Sequence, residues 1–269
     1  MKAFSFFAFV LFVASTGHVT AKDTLMFATA PTEQSHEVNT VYQPILDLIA
    51  KASGKNVVME SAVNYVEYTN RMREGAYDLV FDGPHLVSWR MERLGHVPLV
   101  RLPGKIQIVV AVRDEDGSPQ SLEELAAGRR VCTFPSPNML AMAFLSYYPN
   151  PVRQPDLVPV KGLPALVSCL REGRGEAAVL RQEPWDTLDK TGLRALPVPA
   201  HGYPERTLSI SSEVEPEIRA RITEALVAEE GTQAAARLLR AFKHERFVTA
   251  DPAEYEGMSD LLAPLWGFD

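Results

Sequence analysis

The sequence predicts a two-lobe α/β fold, each lobe a mostly parallel sheet flanked by helices, with two crossing strands between the lobes. Three observations predict it. Short apolar runs alternate with segments of about ten residues whose apolar positions recur at helical spacing, the pattern of parallel βαβ units. That rhythm breaks once, at Ile106-Gln107-Ile108-Val109-Val110-Ala111-Val112, the longest β-branched run in the chain. A second alternating series then follows.

Composition allows such a fold. The chain has 269 residues, 46% hydrophobic and 23% charged, which excludes disordered, collagen-like and coiled-coil classes. At roughly 100–200 residues per domain, this length suits two domains or one large one. The net charge of −7 argues against nucleic acid or an anionic membrane as partner, because both select positive charge.

At the N-terminus, Lys2 precedes the apolar run Ala3–Ser15. The run is shorter than the ~20 residues that span a bilayer. Val19-Thr20-Ala21 then places small residues at −3 and −1 before Lys22. This is the pattern of a secretory signal peptide over residues 1–21, cleaved near Ala21, and it implies export. No cysteine follows the run to carry a lipid.

The first lobe is expected over residues 22–105 plus 212–269. Leu25-Met26-Phe27-Ala28 reads as a buried strand, followed by the loop holding Thr29 and Pro31. Val38, Val41, Tyr42, Ile45, Leu46 and Ile49 mark a helix that Gly54 ends. Val57-Val58-Met59 is a second strand, Tyr65–Arg73 a helix, and Leu79-Val80-Phe81 a third strand. Asp82-Gly83-Pro84 turns the chain into a helix over His85–Leu94.

The second lobe, with the hinge strands, is expected over residues 106–211. Ser121 lies three residues before Glu124, the spacing of a capping box on a short helix. Strand Val131–Phe134, helix Asn138–Tyr147, strand Leu157–Val160, helix Pro164–Arg171, strand Ala177–Leu180 and helix Glu183–Leu188 alternate, and Thr207–Ser211 is a further strand. Beyond Glu215 the chain reads as helical, with stripes over Ile218–Val227 and Ala234–Phe242 and a last helix near Ala253–Leu265. Open α/β sheets bind ligands at the carboxyl ends of parallel strands, so the strand exits facing the interlobe cleft are the places to seek chemistry.

Export bears on Cys132 and Cys169. In an oxidising compartment an even pair is more often a disulfide than two thiols. A strand-to-helix bridge is the first reading and two buried thiols the second; neither cysteine has metal-ligand spacing. No metal and no cofactor are expected. The sequence carries no G-x-S-x-G elbow, H-E-x-x-H, P-loop or Rossmann fingerprint, so recognition rather than catalysis is expected.

Four segments resemble one family. Tyr77-Asp78-Leu79-Val80-Phe81-Asp82-Gly83-Pro84-His85 is similar to the strand exit of phosphonate-type substrate-binding proteins, the periplasmic components of phosphate/phosphonate ABC importers. Asn64-Tyr65 resembles the Asp-Tyr that opens their preceding helix. Ser121–Val131 is similar to their entry into the second lobe, and Phe247–Tyr255 to their approach to the last helix. The resemblance implies a type II periplasmic binding protein fold that closes on a small oxyanion, using N–H groups and hydroxyls at helix starts.

It also implies where ligand contacts lie, and where this chain departs. Thr133-Phe134-Pro135-Ser136-Pro137-Asn138 fills a slot usually richer in hydroxyls. Ser136 and Asn138 remain as donors there, Ser136 with the alternative of an ordinary helix cap. Leu163 stands where such binders often carry a His. Arg181 replaces an acidic residue, which favours an anion; its alternative is solvent or pairing with Glu183. His85 faces the expected cleft or caps its helix, Tyr65 offers a hydroxyl, and Gln107 starts the first crossing strand. Thr29, Pro31, Asp82 and Glu183 complete the expected contacts. The expected partners are the small ligand and a membrane ABC permease, or alternatively a membrane sensor kinase, with the protein a monomer.

Overall fold

The computed structural model describes residues 22–31, 35–265 and 267–268. The expected signal peptide, residues 1–21, lies outside the described residues. In chain order the elements are β1 (Thr24–Thr29), α1 (Ser35–Ser53), β2 (Asn56–Met59), α2 (Tyr65–Arg73), β3 (Leu79–Asp82), α3 (Pro84–Leu94), β4 (His96–Arg101) and β5 (Lys105–Arg113). They continue with β6 (Arg130–Thr133), α4 (Met139–Leu145), β7 (Asp156–Pro159), α5 (Leu163–Arg171), β8 (Ala177–Arg181), α6 (Gln182–Thr187), β9 (Leu193–Ala195) and β10 (Gly202–Pro204). The last are β11 (Thr207–Ser211), α7 (Pro216–Val227), α8 (Glu229–Ala234), α9 (Ala236–Ala241) and β12 (Val248–Thr249).

Among the described residues these strands form two sheets. The first has the order β12-β4-β11-β3-β1-β2, with β1 parallel to β2 and β3 and with β11 antiparallel to β3 and β4. The second has the order β10-β5-β8-β6-β7, with β9 also on β5 and with β6 parallel to β7 and β8. The chain passes between sheets after β4 and again after β10. The two crossings lie side by side, Leu102 N–H donating to the Arg206 carbonyl at 3.0 Å. β11 therefore pairs in the first sheet, whereas the sequence reading grouped residues 207–211 with the second lobe.

Each sheet is buried on both faces. In β5, Val110 and Val112 pack with Val131 and Phe144, while Val109 and Ala111 pack with Leu166 and Leu170. That two-sided alternation explains why its sequence reads as a continuous β-branched run. In the first lobe Phe27 and Phe81 pack against Tyr42 and Ile45 of α1, and Ala28 and Val80 face Tyr68 and Trp89 on the other side.

Several boundaries differ from the sequence reading for identifiable reasons. β4 carries Pro98, which cannot donate to a ladder, and the register with β11 shifts between Leu208 and Ser209 to pass it. The strands β9, β10 and β12 have two or three residues, too few for a period. The expected last helix is two 3₁₀ turns, Pro252–Tyr255 and Met258–Leu262, parted by Gly257 at φ 70°. The expected capping box is instead a 3₁₀ turn over Glu123–Leu125, and Glu124 Oε2 accepts from the Gln120 N–H. Cys132 of β6 and Cys169 of α5 form a disulfide with Cα atoms 6.1 Å apart.

Candidate functional site

A cavity of about 200 Å³ opens between the lobes. That is below the roughly 300–1,000 Å³ of drug-sized pockets, and suits a small ligand. Strand exits and helix starts line it, as parallel topology dictates. From the first lobe come Ala30 after β1, Tyr65 opening α2, and Gly83, His85 and Leu86 at the start of α3. Phe242 follows α9. From the second lobe come Ile106 of β5, Phe134, Pro137 and Asn138 after β6, Met139 and Leu140 of α4, and Arg181 ending β8. Arg206 enters from the second crossing.

His85 joins the lobes. Its ring is 2% exposed, and its Nε2 stands 2.8 Å from the Pro137 carbonyl. A carbonyl only accepts, so Nε2 donates and Nδ1 is left as a buried acceptor with no protein partner. Burial pushes the imidazole down to about 4; the Pro137 bond and Asp82 act in the opposite sense, and Arg206 and Arg90 add to the lowering. The ring is neutral at pH 7. A Cβ on Gly83 would stand 3.0 Å from His85 Cε1, so a larger residue there would crowd the imidazole.

Tyr65 keeps its proton, because burial pushes its phenol up to about 12 against the pull of Arg206. It is a fixed O–H at the cavity wall. Asn138 also lines the wall, but its Oδ1 accepts from the Leu140 N–H at 3.0 Å as the N-cap of α4. Arg181 pairs with Glu205, not with Glu183. Arg206 lies over the Phe242 ring, with its guanidinium carbon 5.1 Å from the centroid.

Other sequence-nominated residues lie away from the cavity lining. Asp82 is fully buried: it pairs with Arg90, and accepts from the Tyr68 hydroxyl and, at 3.2 Å, from the Ala30 N–H. Thr29 donates to the Phe81 carbonyl at 2.9 Å. Pro31 does not line the cavity. Gln107 is exposed opposite Gly202, Ser136 is exposed, and Glu183 pairs with Lys243. Glu205, Arg206 and Phe242 were not singled out from sequence. The charged pair Glu205-Arg206, directly before the alternating run Thr207–Ser211, was the signal for the first two.

The lining can therefore supply two guanidinium groups and one phenolic O–H, among mainly apolar side chains. Such a lining is chemically able to orient a small anion; among the described residues that line it, no nucleophile and base lie together.

Residues 27–255 match the family described as "ABC transporter, phosphonate, periplasmic substrate-binding protein". Among solved structures, XAC2383 from Xanthomonas citri, bound to ATP, is similar at a TM-score of 0.70 and 15% identity, covering 90% of this chain and 96% of that one. PhnD1 from Prochlorococcus marinus, in complex with methylphosphonate, is similar at 0.63 and 14%, covering 90% and 98%. PA3383 from Pseudomonas aeruginosa, a binding protein component of an ABC phosphonate transporter, is similar at 0.60 and 14%, covering 88% and 85%. At such identities the likeness establishes the shared fold. No curated protein matches the sequence.

Proposed function

The chain belongs to the phosphonate-type periplasmic substrate-binding proteins of ABC transporters, and from that membership we propose that it captures a small phosphonate- or phosphate-like oxyanion between its lobes and delivers it to a membrane importer. The observation that carries this reading is the meeting of Arg181 and Arg206 in the interlobe cavity, with the Tyr65 hydroxyl at its wall. Guanidinium groups present forked N–H donors that match the oxygens of such an anion. The start of α3 adds the positive end of a helix dipole. His85 reaching Pro137 would hold the lobes together around the bound ligand. On this reading residues 1–21 direct export and are removed, and the protein binds without turnover. Arg181, Arg206 and Tyr65 are its ligand contacts, while Asp82 and Thr29 shape the first-lobe wall.

A thermal-shift screen over phosphate, phosphite, alkylphosphonates, sulfate, alkylsulfonates and small carboxylates tests it. A ligand at 100 times its Kd stabilises the folded state by about 2.7 kcal/mol. At least one oxyanion is expected to raise the Tm, and Arg206→Gln to abolish that rise. No shift with any of them contradicts the oxyanion reading.

A further inference from the structure

The segment after β12 touches both lobes. Its first 3₁₀ turn, Pro252–Tyr255, sets the Tyr255 hydroxyl 2.6 Å from Thr207 Oγ1, where the second crossing ends. Gly257, at φ 70°, then redirects the chain into the turn Met258–Leu262. In 3₁₀ geometry side chains three residues apart eclipse, so this turn has two adjoining faces, Met258 with Leu261 and Ser259 with Leu262. The first face packs against the second-lobe core that holds Ile106, Leu140 and Phe144. The second lies on the first lobe, with Leu262 fully buried in the cluster of Tyr68 and Trp89. We infer that this turn is a strap that holds the lobes in their closed arrangement, and that it stays with the first lobe when the cleft opens.

The two faces are unequally tied. Towards the first lobe the Ser259 N–H donates to Ser88 Oγ at 3.0 Å, and the Ser259 hydroxyl reaches the two Glu92 carboxylate oxygens at 2.7 and 2.8 Å, both partners lying on α3. Towards the second lobe stand Met258 and Leu261, two partly buried side chains with no N–H or O–H to donate. Parting that face costs only its apolar burial, whereas parting the other breaks hydrogen bonds and also uncovers Leu262. The turn spans α3 and α4, the helices at whose starts His85 and Pro137 meet, so the strap and that contact close the same gap. Such a strap sets how far the closed arrangement is populated without ligand, and with it how readily a ligand enters and leaves. That consequence rests on the binding reading above; the strap itself is tested without ligand, so either can fail alone.

Spin labels on Val63→Cys and Val152→Cys, exposed positions of the first and second lobe, report the interlobe distance in the ligand-free protein by double electron–electron resonance, with the Cys132–Cys169 bridge left intact. Adding Met258→Ala and Leu261→Ala, which spares the first-lobe face, is expected to lower the closed-to-open ratio about tenfold. An unchanged distance distribution, even with a lowered Tm, makes the turn ordinary packing and overturns the strap. If that variant does not fold, a label on the exposed Asp260→Cys reads the turn with Met258 and Leu261 in place. Paired with Val63→Cys it should show one narrow distance, and paired with Val152→Cys a closed population and a longer one. A spread of distances to Val63, or a single distance to both lobes, overturns the strap.

Discussion

Two arginine–carboxylate pairs flank the cleft, and they differ in how completely they are satisfied. Arg90 and Asp82, in the first lobe, are buried to within 1% of full enclosure, and Asp82 also accepts from Tyr68 and the Ala30 N–H. Arg181 and Glu205, at the second lobe and its crossing, leave the guanidinium one-third exposed and Oε2 of the carboxylate without a partner. The same chemistry thus does two jobs. The saturated pair fixes the β1 and β3 exits that shape the cavity wall. The unsaturated pair leaves Arg181 partly exposed in the cavity lining.

At pH 7 the largest expected effect of a single substitution comes from breaking the saturated pair. Asp82→Asn leaves the Arg90 charge buried without a counterion and should cost about 3–5 kcal/mol in chemical denaturation. A loss below about 1 kcal/mol would place Asp82 with the surface pairs instead.

Acid should weaken the first lobe next. Burial lowers His85 to about 4 and His96 to about 3, both from an ordinary 6.5. In that window the unfolded chain binds the protons that the folded chain refuses, so stability is full above pH 6.5 and lost as pH falls towards 4 and below. The expected slope is about 1.4 kcal/mol per pH unit for each histidine. Denaturant midpoints between pH 7 and 4 measure it, and His85→Asn should remove one histidine's share. A stability level across that range would show that neither ring is held neutral.

The smallest effect sharpens the comparison from the other end. Lys243 and Glu183 also join the lobes, but both are more than half exposed. Their double-mutant cycle should yield about 0–1 kcal/mol and shrink with salt. A coupling as large as that of the buried pair would make exposure a poor guide to these roles.

The sequence revealed the fold better than the direction of individual side chains. The spacing from Val41 to Ile49 and the run from Ile106 to Val112 each bury long continuous faces, so they announced α1 and β5. β4 was hidden by Pro98, and the shortest strands exist only because neighbours complete their ladders. Tyr65, His85, Asn138 and Arg181 reach the cavity lining, since strand exits and helix starts are legible as positions. Asp82 occupies such an exit and yet turns inward, because Arg90 and Tyr68 come from two different helices to meet it. Arg206 follows Glu205 in a crossing, where no periodicity marks it.

The most direct test of an anion site between the lobes is a crystal structure of the protein with the oxyanion that stabilises it most. The account predicts electron density for that anion among Tyr65, Arg181 and Arg206, with the His85–Pro137 contact closed beside it. Density for the anion only on the outer surface, with the cavity filled by water alone, would contradict it.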